Sequence, residues 1–96
     1  MFNNVQDVVC PKRSLEILRL LERERNLNYS GIEARVDTSS DVVTDRLNVL
    51  VQYRLLERKE KSPKDVRYQI TDRGRELLEL VQGVDAFLEK SKDVHS

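Results

Sequence analysis

The stretch LLERKEKSPKDVRYQI, residues 55–70, constrains the chain most. In VRYQI, Val66, Tyr68 and Ile70 alternate with Arg67 and Gln69, the period-two pattern of a strand with one face inward. LLERKEK supplies a partner strand, and Pro63 and Asp65 in SPKD are turn formers. The expected product is a β-hairpin with a basic loop, set in a sequence whose other periodic segments are helical.

Before the hairpin, Leu15, Leu18 and Leu21 repeat at three-residue spacing among Glu and Arg, which is an amphipathic helix entered at Pro11. Asn26 and Asn28 interrupt it. A short helix follows near SGIEAR, with Ser30 as its expected cap and Ile32 inward. VDTSS is a polar turn. A third helix starts at Thr38 or the serines, and Thr38 and Asp41 have capping-box spacing. Val43, Leu47 and Leu50 form its inner side, and it ends near Tyr53–Arg54. After the hairpin, Thr71 caps a long final helix. Residues 1–11 read as an N-terminal arm, 12–90 as one domain with a C-terminal dimerisation helix over about 71–90, and 91–96 as a frayed tail. His95, in that tail, has no partner pattern.

This order of helix, helix, turn, helix, hairpin, helix predicts a mostly α chain with a small β-hairpin (α+β), the winged helix-turn-helix. Two short helices support a third, whose exposed N-terminal half can enter a groove about 12 Å wide. The hairpin is the wing.

Composition narrows the class. Ninety-six residues with 39% apolar content suit one small domain, not two cores. Seventeen basic residues balance seventeen acidic ones, so net charge gives nucleic-acid binding no support. Distribution does: residues 57–67 hold Arg58, Lys59, Lys61, Lys64 and Arg67 against three acids. No apolar run approaches the roughly 18 residues of a membrane span. The start has no signal-peptide pattern, so a soluble cytoplasmic protein is expected. There is no Gly-rich phosphate loop, no metal-spaced Cys/His set and no nucleophile-base pair. The expectation is no enzyme, no metal and no cofactor.

TSSDVVTDRLNVLVQYRLLERK followed by VRYQITDRGRELLELV resembles the HxlR-type winged-helix regulators, relatives of the MarR and PadR groups. The matching stretches are Thr44-Asp45-Arg46-Leu47, Leu55-Leu56-Glu57-Arg58 and Tyr68-Gln69-Ile70-Thr71 with Gly74-Arg75. Cys10-Pro11 also matches a Cys-Pro near the start of many such chains. The resemblance spans roughly residues 10–88 and implies a dimeric transcriptional regulator that binds duplex DNA. The chain departs from the pattern in lacking a Trp in PKRSLEIL and in having fewer basic and amide side chains on the third helix.

Ser39, Ser40, Thr44, Asp45 and Asn48 are the candidate contacts of the recognition helix, since hydroxyls and amides bond phosphates or base edges without net charge. Their alternative reading is ordinary helix-surface polarity. Asp41 suits the positive end of the helix dipole. Asp45 is a solvated carboxylate, an acceptor for a cytosine amino group, or a charge that repels phosphates and screens out wrong registers. Arg46 either binds phosphate or forms an internal ion pair. Lys59, Lys61, Lys64 and Arg67 are the candidate backbone contacts of the wing. Leu80, Val84, Phe87 and Leu88 extend the apolar surface of the final helix past what one domain covers, which suggests a homodimer interface. Gly83 would allow close helix approach. Cys10 is either a redox thiol or, the preferred reading, a small partly buried side chain. The rival to DNA binding is a winged-helix protein-interaction module, favoured by net neutrality and by two aspartates on the third helix.

Overall fold

A computed structural model describes residues 2–93. It contains α1 (Asn3–Val8), α2 (Lys12–Glu24), β1 (Asn26–Asn28), α3 (Tyr29–Arg35), α4 (Ser40–Gln52), β2 (Leu56–Ser62), β3 (Asp65–Ile70) and α5 (Asp72–Asp93). The three strands form one antiparallel sheet in the order β1-β3-β2. The expected helices and hairpin are all present, and the expected third helix is α4. The expectation for His95 lies outside the described residues. The expected frayed tail begins as helix, because α5 runs to Asp93.

The core sits between the helices and the inner face of the sheet. Ile17, Leu18 and Leu21 of α2 are fully buried with Ile32 of α3 and Val43, Leu47 and Leu50 of α4. Leu56, Tyr68 and Ile70 close it from the sheet. Leu78 is buried on α5, whereas Leu77 is half-buried. Of the residues expected inward, Leu15 and Val66 are only half-buried.

Four local features differ from expectation. Residues 1–11 hold a helix where a plain arm was expected. Val8 is buried, and the Asp7 carbonyl accepts a bond from Arg46, so α1 is docked on α4. The Asn26–Asn28 interruption is a strand, with Asn26 opposite Gln69 and Asn28 opposite Arg67. Helix α3 is capped by Asn28, not Ser30: the Asn28 Oδ1 accepts the Gly31 amide at 2.8 Å. Helix α4 is capped by Ser39, which accepts the Val42 amide at 3.4 Å, so the box expected from Thr38 does not form.

The exit of α4 fixes the wing. Arg54 is left-handed (φ 63°), its amide bonds to Val51 O, and the Leu55 amide bonds back to Leu50 O. That is a Schellman ending with Arg in the place glycine usually takes. Thr71 then ties the wing's end to the same point. Its Oγ1 donates to Arg54 O at 2.7 Å and accepts the Gly74 amide at 3.1 Å, capping α5 as expected. Gly74 is required by this closeness: a Cβ there would stand 2.4 Å from Leu55 O and 2.6 Å from Ile70 Cγ1.

Candidate nucleic-acid interface

The inner side of α4 is committed to the core, so its outer side is what the fold can present. Asp41, Thr44, Asp45 and Asn48 follow one another at three- and four-residue spacing and are all exposed, with Ser39 and Ser40 at the N-terminal end. The structure therefore brings together all five expected recognition-helix residues. They differ in what already holds them. Ser40 Oγ donates to Glu33 Oε2 on α3. The Thr44 hydroxyl meets Tyr29 Oη at 3.0 Å, and that phenol also donates to Ser40 O at 3.2 Å. Asp45 Oδ2 accepts Arg46 Nη2 at 2.7 Å. Among the described residues, the Asn48 side chain makes no hydrogen bond.

Of its two readings, Arg46 takes the internal one. Its side chain is only 17% exposed. Besides Asp45 it reaches the Asp7 carbonyl at 2.9 Å and the fully buried Ser14 Oγ at 3.4 Å. One guanidinium thus joins α1, α2 and α4, using the fork of donors that only Arg offers. Tyr53, at the end of α4, adds a second tie to α1: its hydroxyl lies 2.9 Å from Asn4 Oδ1 and 3.1 Å from Asp7 Oδ2. Desolvation, followed by the hydrogen bond to Asp7 and its negative charge, holds the phenol above its ordinary value of 10.0.

On the wing, register explains the charge pattern. Lys59 stands opposite Arg67 and Arg58 opposite Tyr68, so two cations share one face directly across the ladder. Like charges in that arrangement repel. Each is offset by an acid two residues away on its own strand: Lys59 with Glu57 at 3.8 Å and Arg67 Nε with Asp65 at 3.2 Å, the latter without hydrogen-bond geometry. Arg58 pairs likewise with Glu60 at 3.7 Å. Lys61 is the extra residue of a bulge between Glu60 and Ser62, and Lys64 lies in the turn. Among the described residues neither forms an ion pair. Two of the four expected wing cations are therefore free and two are partly neutralised in place. Alternation along the strands could have revealed these pairs; Tyr29 and Glu33 carried no sequence signal, because their partners lie on another helix.

The apolar candidates also stand out. Leu80, Val84, Phe87 and Leu88 are 62%, 59%, 69% and 55% exposed along α5. One turn before Leu80, Leu77 lines a shallow 170 Å³ cavity with Val5, Val8 and Val9 of the α1 segment and Leu55. A Cβ added at Gly83 would meet nothing within 4 Å, so no close approach within the chain uses that glycine. Cys10 is exposed, which corrects the preferred reading of a partly buried side chain. Among the described residues no group of His, Cys, Asp and Glu could hold a metal ion, and no helix is long and apolar enough to cross a membrane.

Comparison with known proteins agrees with this geometry. The chain resembles a transcriptional regulator of the MarR family from Enterococcus faecalis V583, with a TM-score of 0.75 at 18% identity over 93% of this chain and 82% of that one. It also resembles the AntR antimony-specific transcriptional repressor, with a TM-score of 0.69 at 20% identity over 93% and 78% of the two chains. At such identities the likeness establishes the winged-helix fold. No curated protein matches the sequence. The family model described as HxlR-like helix-turn-helix matches residues 8–96. The chain belongs to the HxlR-like helix-turn-helix family, whose members are transcriptional regulators and not enzymes.

Proposed function

We propose that the protein is a cytoplasmic, homodimeric transcriptional regulator that reads duplex DNA in a sequence-specific way. Helix α4 enters the major groove and the wing grips the backbone. The observation that carries this is the outer side of α4. It is an exposed polar stripe, with Ser40, Thr44 and Asp45 held by Glu33, Tyr29 and Arg46, on a helix locked from behind by the core. A rigid element with exposed, positioned polar groups suits direct readout, in which each well-placed contact discriminates by about 1–3 kcal/mol. Ser39, Ser40, Thr44, Asp45 and Asn48 supply the readout. Lys61 and Lys64, with Lys59 and Arg67 behind their acids, supply backbone contacts.

One neutral domain offers few contacts, so pairing matters. Leu80, Val84, Phe87 and Leu88 form the interface, since covering a large apolar side chain is worth about 1.5–3 kcal/mol. Two copies on a two-fold axis place their α4 helices in successive major grooves, with half-sites about 34 Å apart. Cys10, exposed beside α1, is available as a redox thiol.

The second reading, a protein-interaction module, draws support from the three ion pairs that quench the wing. Duplex binding measured against salt separates the two. Binding that falls steeply with salt supports the DNA reading, and no detectable binding at low salt refutes it.

A further inference from the structure

The hydroxyls of α4 are tied to α3 in a way that decides what they can offer outward. A phenol has one proton to donate. The Ser40 carbonyl, 3.2 Å from Tyr29 Oη, can only accept it. The contact between Tyr29 Oη and Thr44 Oγ1 at 3.0 Å admits either hydroxyl as donor, and both contacts are hydrogen bonds at once only when Thr44 gives its proton to Tyr29. Threonine in a helix ordinarily turns its hydroxyl to the carbonyl four residues back, or leaves it free to rotate. Here that carbonyl belongs to Ser40 and is already used by Tyr29. Ser40 Oγ likewise directs its proton to Glu33. Both hydroxyls therefore face outward with lone pairs only. They stand beside the carboxylates of Asp41 and Asp45 on the exposed side of the helix.

We propose that Tyr29 is a positioning residue that makes Thr44 an acceptor-only reader. The group that Thr44 recognises is then the exocyclic amino group of adenine or cytosine, the donors that bases display in the major groove. The inference deepens the DNA reading above and rests on it. It also gives the two aspartates of α4 a purpose, since an acceptor-rich face is matched to amino edges and mismatched to the carbonyls of guanine and thymine. Tyr29 is half-buried against the core and acts through Thr44, not on the base.

The test begins with selection of bound sequences from random duplex DNA, using the wild type and Thr44→Val. The base pair whose preference disappears in Thr44→Val is then probed with base analogues. Replacing adenine by purine, or cytosine by pyrimidin-2-one, deletes the amino group. Replacing guanine by 2-aminopurine deletes the carbonyl. The expected result is a loss of about five-fold or more for the amino deletion and none for the carbonyl deletion. Tyr29→Phe should reduce that dependence several-fold at this base pair alone, leave random-duplex affinity unchanged, and have no further effect in the Thr44→Val background. Dependence on the carbonyl, or a Tyr29→Phe loss spread over all positions, overturns the proposal. A readout without DNA isolates the positioning link: scalar couplings should show one Thr44 χ1 rotamer in the wild type and averaging in Tyr29→Phe. An unmoved rotamer overturns that link even if DNA binding stands. Failure to enrich any sequence overturns the DNA reading and the base assignment together.

Discussion

The wing offers a prediction whose size follows from which of its cations are free. Arg58, Lys59 and Arg67 each face an acid on the same strand, whereas Lys61 and Lys64 pair with none of the described residues. Phosphate contact by Lys61 or Lys64 requires no internal partner to be given up. Each phosphate neutralised steepens the dependence of log affinity on log salt by about 0.9. In a dimer, Lys61→Ala with Lys64→Ala removes two such cations from each chain, so the slope should flatten by about 3.6. Between about 50 and 200 mM salt, the wild type should then lose roughly 100-fold more affinity than the variant. Fluorescence anisotropy with a labelled duplex, repeated across salt concentrations, reads this directly. The loss should be alike for the preferred and a random duplex, because phosphates carry no sequence. An unchanged slope would refute the backbone role. A loss confined to the preferred sequence would mean that these lysines read bases.

Three further perturbations probe the scaffold behind the site. Arg46→Ala should destabilise the fold by about 1–3 kcal/mol in chemical denaturation, because it leaves the Asp7 carbonyl and the buried Ser14 hydroxyl without their donor; a neutral result would show that α1 is not anchored there. Gly74→Ala should cost about 1–3 kcal/mol or more through the clash with Leu55 O, while Gly83→Ala, which meets nothing within the chain, should stabilise α5 by up to about 1 kcal/mol. A destabilised Gly83→Ala chain would indicate that a partner approaches that glycine closely. Val84→Ser with Phe87→Ser should halve the mass seen by light scattering and sharply weaken duplex binding with no DNA-facing residue altered; an unmodified protein already monomeric at micromolar concentration would exclude the paired interface.

How much of this was legible in the sequence depends on how local each signal is. Helices α2, α4 and α5 announce themselves because one core-facing side repeats every three to four residues. The hairpin does so through Val66, Tyr68 and Ile70, and the Thr71 cap through its position before the last apolar run. Helix α1 is six residues long, has no side-chain cap, and is held by Arg46 and Tyr53 from 39 to 49 residues away. Nothing within residues 3–8 reports that. Strand β1 is three residues of which two are Asn, and it exists because β3 has a free edge to pair with. The end of α4 near Tyr53–Arg54 was legible, but its left-handed geometry was not, because Arg54 stands where glycine usually marks it. The same division holds at the site. The outer stripe of α4 was visible from spacing alone. That Thr44 and Ser40 are held by Tyr29 and Glu33 was not, because both partners come from α3; the internal pairing of Arg46 was one of two open readings, and its tie to α1 decides between them.

The central claim is that two copies of this domain read duplex DNA together. Selection of bound sequences from random duplex DNA at near-physiological salt tests it most directly. A DNA-reading homodimer predicts enrichment of a pseudo-palindrome with half-site centres about 34 Å apart, roughly one helical turn. Failure to enrich any sequence, with no duplex binding even at low salt, would contradict it.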